Sequence, residues 1–136
     1  MISSNTENLP TNNAIISEKS ANIAISGFLQ VMEAWGVNNE EALVLLGSPS
    51  RRTFYNWKAG KVGRLPVDVI SRISYVLGIF KALNILYADE RLADDWVTRP
   101  NAHFGGETPL RRMLGGDVAD LYAVRQYLDG VRGGWN

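Results

Sequence analysis

The sequence of 136 residues contains no cysteine and only one histidine, His103. The lack of cysteine excludes disulfide scaffolds, thiolate metal sites, iron–sulfur clusters and cysteine nucleophiles. A single histidine excludes sites built from several histidines and gives little support to histidine-based acid–base catalysis. The sequence also has no nucleophile elbow and no phosphate-binding loop. We therefore expect no enzyme, no catalytic residue, no metal and no cofactor.

Long apolar runs are also missing. The run that includes Val76–Phe80 ends at Lys81, whereas a transmembrane helix needs about 20 apolar residues. The N-terminus has no basic region ahead of an apolar stretch, so no signal peptide is expected. These features predict a cytoplasmic protein without a membrane partner.

Neither sign of charge is in excess, because 14 basic residues face 14 acidic ones. This balance excludes a polycation that coats nucleic acid. Apolar residues make up 46% of the chain, which is enough to build a core and excludes an acidic disordered protein. The length fits one domain or two small ones that share a core.

Apolar residues recur at three- and four-residue spacing, and no segment has the alternation of a convincing strand, so an all-α fold of six or seven helices is predicted. The polar, Asn-rich residues 1–13 predict a disordered tail. A helix-turn-helix domain is expected over 14–63, and a second helical domain built on one long central helix over 64–136. In the first half, one helix is predicted from about Ser17 to Trp35, a second after an Asn39 N-cap to Gly47, and a third from Ser48 or Ser50 to Gly60 with Pro49 in its first turn. In the second half, a long helix is predicted from Pro66 to about Tyr87 and a short one over about 90–96. Two more helices are predicted to begin after N-caps at Thr108 and Asp117.

Acidic residues are absent between Ala42 and Val67, although the same window holds five basic ones. A local patch of this kind can attract phosphates even in a neutral protein. The window also covers two predicted helices joined by the short Gly47–Pro49 turn, which is typical of a helix-turn-helix. A DNA-binding unit is the functional interpretation, and a solvated face of an ordinary helix is the alternative.

The third helix has two different faces at about 100° per residue. Phe54 and Trp57 share the face expected to pack on the core, and the opposite face is free to enter a major groove. Arginine can read guanine and asparagine can read adenine there, whereas basic residues at the end of the helix are better placed for phosphates. The predicted DNA-binding residues are Arg51, Arg52, Tyr55, Asn56, Lys58, Lys61 and Arg64.

An ordered set of motifs over about residues 25–134 resembles the Xre/MbcA/ParS antitoxin family. Its N-terminal part is the stretch Ser50–Trp57, Gly60 and Leu65-Pro66. Its C-terminal part is more extensive and consists of Trp96–Asn101, Phe104-Gly105-Gly106, Thr108-Pro109-Leu110, Met113-Leu114, Gly116, Val124 and Leu128.

The resemblance implies an antitoxin with two modules. The helix-turn-helix would bind operator DNA and repress the antitoxin's own operon. The C-terminal domain would bind a toxin, typically of the RES-domain type, whose family activity is the destruction of NAD. Members of the family commonly form homodimers. Without a catalytic apparatus, inhibition is expected to be steric, by occlusion of the toxin's active site.

Within the C-terminal domain, the predicted toxin-binding residues are Arg111, Arg125, Arg132, Trp135 and Asn136. The resemblance places the C-terminal end near the toxin's cleft, and a tryptophan after two glycines could anchor in a partner pocket. The alternatives are solvated arginines and a frayed terminus. For the loop at Phe104–Gly106, a fold-defining turn is favoured over a toxin contact, and His103 is expected to be a turn residue.

Two other functions are consistent with the sequence. A stand-alone transcriptional regulator would have no adjacent toxin gene. An interaction protein whose helix-turn-helix has lost DNA binding would show no salt-dependent DNA affinity.

Overall fold

The computed structural model describes the backbone of residues 2–133 and the side chains of residues 18–133. Within this range the chain forms helices and turns and no strand, as the periodicity predicts. Two short 3-10 turns, Trp96–Thr98 and Ala102–Phe104, lie between the fifth and sixth helices. The helices are α1 (Ile2–Trp35), α2 (Asn39–Leu45), α3 (Arg51–Lys58), α4 (Val67–Leu86), α5 (Glu90–Asp95), α6 (Pro109–Met113) and α7 (Val118–Gly133).

Helix α4 is the centre of the fold. It packs against α1 from the N-terminal half and against α5 and α7 from the C-terminal half. Because α4 is enclosed on several sides, its apolar residues cover more than one face, as the breadth of its apolar pattern predicts. Val67, Ile70 and Ile85 are exceptions and remain exposed. The buried apolar residues of α4 are Val69, Ile73, Val76, Ile79, Ala82 and Leu83.

By length and composition alone, α4 could cross a membrane. The sequence analysis excluded such a segment because it considered only uninterrupted apolar runs, and that reason was wrong for this helix. A core helix passes the same test of length and composition, and six apolar side chains of α4 are buried where the helix packs against its neighbours. The structure therefore accounts for the apolar character of α4 by packing within the protein.

Two helix starts differ from the prediction, and at a third, where Ser50 is one of the two predicted starts, the predicted place of Pro49 is wrong. Helix α1 begins at Ile2 instead of near Ser17, because the sequence before Ser17 has no apolar periodicity from which a helix would be predicted. The side chains of residues 1–17 lie outside the described part, so the predicted disordered tail over 1–13 is not tested. Helix α2 is capped by Asn38 and not by Asn39, and Pro49 precedes α3 because Ser50 is its N-cap.

The two halves of the chain are joined by a buried arginine. Arg72 of α4 is only 8% exposed. Its Nε donates to Asp68 Oδ2 at 2.8 Å, and its Nη2 donates to the carbonyl oxygen of Gly116 at 2.9 Å. Since Gly116 lies between α6 and α7, this side chain ties the start of the central helix to the C-terminal half.

Candidate functional site

The unit formed by α2, the turn and α3 is held by local capping. The Asn38 side chain accepts the Glu41 N–H at 2.8 Å, and the Glu41 carboxylate accepts the Asn38 N–H at 3.2 Å. At α3, Ser50 Oγ accepts the Thr53 N–H at 3.1 Å. These caps satisfy N–H groups that have no partner inside the helix. They fix where both helices begin, and hence how short the turn is.

Helix α3 has the two faces that its sequence predicts. Phe54 is 1% exposed and Trp57 is 8% exposed, and the helix packs against α1. On the other side Tyr55 is 46% exposed, and Arg52 and Asn56 are also exposed. The aromatic face thus anchors the helix and leaves a polar face open to solvent. The division into faces is confirmed, and contact with DNA remains a prediction.

The other basic residues of the acid-free window surround this face. All of them are exposed, and Lys61 and Arg64 follow the end of α3. Their position beyond the helix suits contact with phosphates more than contact with base edges. Arg51 and Lys58 of α3 lie on the same side of the molecule as the three polar residues of the open face, Arg52, Tyr55 and Asn56.

Two residues of α2 contact this face, and the sequence analysis did not include either of them in the DNA-binding site. Glu40 accepts from both terminal nitrogens of Arg51, at 2.8 Å from Nη2 to Oε1 and at shorter range from Nη1 to Oε2. Asn39 Oδ1 accepts from Lys58 Nζ at 2.8 Å. The hydrogen bonds that Arg51 donates to the Glu40 carboxylate lower the pKa of Glu40 and raise the pKa of Arg51.

A sequence signal for the Glu40–Arg51 contact exists but is weak. The two residues are 11 positions apart, each in the first turn of its helix. The acid-free window begins at Ala42, so counting charges inside it leaves out an acid two positions earlier. The contact depends on how the turn folds α2 back on α3, which charge counting cannot reveal.

The arginines predicted to bind a toxin lie in different environments. Arg111 is exposed and lines an open groove with His103 and Glu107. Arg125 is partly buried, and its Nε donates to Asp129 Oδ1 at 3.0 Å. Arg132 is exposed near the end of α7. Trp135 and Asn136 lie outside the described residues, so the predicted anchor at the C-terminal end is not tested.

The loop around Phe104 has the features of a fold-defining turn. Gly105 and Gly106 have φ values of +68° and +88°, in the region that only glycine adopts without strain. Phe104 is partly buried against the core, and the His103 ring lies 4.2 Å from the ring of Tyr127. His103 therefore packs as a turn residue. Among the described residues, no three His, Asp or Glu side chains are grouped so as to hold a metal ion.

Comparison with known proteins assigns both halves of this architecture. Residues 16–78 match the model of the antitoxin Xre-like helix-turn-helix domain. Residues 82–134 match the model of the antitoxin Xre/MbcA/ParS C-terminal toxin-binding domain. The chain belongs to the Xre/MbcA/ParS antitoxin family. It is also similar to the uncharacterized protein y4oB of Sinorhizobium fredii (strain NBRC 101917 / NGR234), with 46% identity over 110 residues that cover 81% of this chain and 84% of the relative.

The two family matches cover different parts of this antitoxin-family chain. The helix-turn-helix match includes α2, α3 and most of α4, and the toxin-binding match runs from the end of α4 through α7. The matched ranges meet inside α4, whereas the predicted boundary lies between Gly63 and Arg64. The central helix is thus shared by the two family domains.

Proposed function

We propose that this chain is the antitoxin of a type II toxin–antitoxin pair. It neutralises a RES-type toxin that degrades NAD by covering the toxin's active site, and it represses its own operon as a homodimer in the cytoplasm. The observation that carries the proposal is that an antitoxin helix-turn-helix domain and a toxin-binding domain share one chain.

The C-terminal half supports neutralisation by steric means. Arg111 and Arg132 are exposed and take part in no ion pair among the described residues. Their donors are therefore available to carboxylates of a partner protein, and arginines are enriched among the residues that dominate binding energy at interfaces. The arrangement needs no reacting group of its own, since covering a cleft is sufficient to inhibit an enzyme.

The exposed face of α3 supports repression. Recognition helices of this kind lie in the major groove with their N-terminal residues against base edges. Arg52 is in the first turn of α3 and Tyr55 and Asn56 follow on the open face. A symmetric dimer would bring two such helices to half-sites about one helical turn of DNA apart, or a multiple of that distance.

The toxin half of the proposal is tested by co-expression with the product of the adjacent gene in a bacterial host. We expect the neighbour alone to stop growth and deplete cellular NAD, and co-expression of the full chain to restore both. Affinity purification should recover the two proteins together. Deletion of residues 133–136 should weaken rescue, whereas DNA binding is unchanged. A neighbour that is harmless and does not co-purify would favour the stand-alone regulator, and full rescue by the truncated chain would remove the C-terminal end from the toxin site.

The DNA half is tested by titrating a duplex taken from upstream of the chain's own gene. Arg52→Ala should weaken binding by about 1–3 kcal/mol if Arg52 reads a guanine. Arg91→Ala is the matched control, because it removes the same charge from an exposed position in α5. Toxin neutralisation should survive both changes. Equal affinity of the Arg52→Ala variant and the unchanged protein would exclude Arg52 from the interface.

A further inference from the structure

Glu40 is the acidic group in direct contact with the predicted DNA-binding face. Both of its carboxylate oxygens accept from the terminal nitrogens of Arg51. The two side chains are 65% (Arg51) and 62% (Glu40) exposed. Exposed ion pairs contribute little to stability. The effect of this contact should therefore be sought in what it does to Arg51 on a DNA-facing surface.

The first effect concerns net charge. Of the five basic residues between Ala42 and Val67, Arg51 has an acidic partner, while Arg52, Lys58, Lys61 and Arg64 form no ion pair among the described residues. The Lys58 contact with Asn39 leaves its charge intact because an amide is neutral. Glu40 thus cancels the charge of one cation at the start of the recognition helix.

The second effect concerns direction. A guanidinium has five N–H donors in a rigid fork, and the carboxylate engages one donor on each terminal nitrogen. The remaining donors, including Nε–H, stay available with their orientation set by the carboxylate. Phosphate contacts depend on net charge and carry no sequence information, whereas contacts with base edges depend on the placement of donors. A neutralised but oriented arginine is suited to the second kind of contact.

We propose that Glu40 is a specificity-determining positioning residue, which directs Arg51 toward a base edge and removes the charge that would hold Arg51 on any phosphate. This inference rests on the proposed operator binding. The first helix of a helix-turn-helix crosses the DNA backbone, so a carboxylate in its first turn lies close to phosphates. A carboxylate at that place weakens binding to DNA of every sequence. Through its contact with Arg51, the same carboxylate makes binding more selective for one sequence.

The test compares two labelled duplexes of equal length and composition, one from upstream of the chain's own gene and one with shuffled sequence. The full chain is titrated by fluorescence anisotropy over a series of salt concentrations. Glu40→Gln should tighten binding to the shuffled duplex and steepen its salt dependence by about 0.9 in the log–log slope, the value for one additional phosphate contact. The affinity ratio between the upstream and shuffled duplexes should fall at least about fivefold, as expected for a lost bidentate base contact.

Glu41→Gln is the matched control. It removes the same charge one residue further along α2, and the glutamine can still accept the Asn38 N–H as in a capping box. Its affinity ratio should stay within about twofold of the unchanged protein, which is less than the contribution of a base contact. In an Arg51→Ala background, Glu40→Gln should have no further effect on the ratio, because the proposed action passes through Arg51.

The outcomes separate this inference from the function on which it rests. If the unchanged protein prefers the upstream duplex and Glu40→Gln retains that preference, the role of Glu40 is refuted and operator binding stands. The same conclusion follows if Glu41→Gln lowers the ratio equally, or if Glu40→Gln still acts in the Arg51→Ala background. If the unchanged protein binds both duplexes alike at every salt concentration, operator binding fails and the inference fails with it.

Discussion

At the scale of single residues, Arg125 lies in a slot that exists because residue 78 on the neighbouring helix is glycine. A Cβ atom at position 78 would lie 1.7 Å from Arg125 Nη1 and 2.7 Å from its Cζ. The guanidinium thus crosses closely over α4 while its Nε is held by Asp129. Arg125 has partners inside its own molecule, so a contact with toxin would have to share or replace them.

At this slot, Gly78→Ala should have two opposing effects on the free energy of unfolding. The new methyl group must displace the guanidinium, which is the flexible end of a long side chain, while alanine gains about 1 kcal/mol of helix propensity over glycine. We expect the free energy of unfolding, measured by urea denaturation, to change by less than about 1 kcal/mol. In an Arg125→Ala background the slot is empty, and the same substitution should stabilise by about 0.5–1 kcal/mol. Equal stabilisation in both backgrounds would show that Arg125 does not occupy the slot.

At the scale of the helices and turns, α2 and α3 end in the same way. After α2, the Gly47 N–H donates to Val44 and the Ser48 N–H donates to Leu43. The end of α3 repeats this pattern at Gly60 and Lys61. Both glycines have positive φ, +91° at Gly47 and +86° at Gly60. Only Gly47 has close neighbours, since an added Cβ would lie 2.9 Å from Arg72 Nε and 3.0 Å from Asp68 Oδ2.

This pair offers a matched test of how tightly the turn packs on α4. Gly60→Ala should cost about 1–2 kcal/mol of unfolding free energy from backbone strain alone. Gly47→Ala carries the same strain and must also displace the hydrogen-bonded Arg72 side chain, which should add about 1 kcal/mol. Urea denaturation of the two variants measures the difference. Equal losses would mean that the turn does not press on the Arg72–Asp68 pair.

At the scale of the whole molecule, the two family domains share one core. Helix α4 supplies buried side chains to both halves, and Arg72 links its N-terminal end to the turn before α7. Phe28 of α1 is fully buried, and α1 packs on α4. Although DNA binding and toxin binding are proposed for separate surfaces, the N-terminal half lacks a complete core without α4.

A fragment of residues 1–63 should therefore not fold on its own. It retains α1, α2 and α3 but loses α4, and with it the apolar surface that covers α1. We expect no cooperative thermal transition by circular dichroism for this fragment, in contrast to the full chain, because small domains depend on every part of a limited core. A cooperative transition of the fragment would show that residues 14–63 fold without α4, and would contradict a core shared by the two halves.

Local features of the sequence were sufficient to place the elements and the open face of α3. Thr108 and Ser50 act as N-caps, and Phe54 and Trp57 lie inward three residues apart, because capping and helical periodicity involve residues within about one turn of each other. The one-residue error at the cap of α2 arose because Asn38 and Asn39 are both suitable caps. The reciprocal hydrogen bonds between Asn38 and Glu41 make Asn38 the N-cap.

The contacts that shape the candidate site were decided only by tertiary structure. Glu40 meets Arg51 across the turn, and Arg72 reaches the carbonyl of Gly116, 44 positions away. Nothing in composition or periodicity specifies these pairs, since one depends on how α2 lies against α3 and the other on how α4 packs against α7. The sequence alone determined an all-α architecture and which face of α3 is polar, because those follow from short-range rules, while its ordered motifs carried the resemblance to the antitoxin family. Long-range packing decides which arginines have an acidic partner and which do not. Only the folded molecule determines that packing.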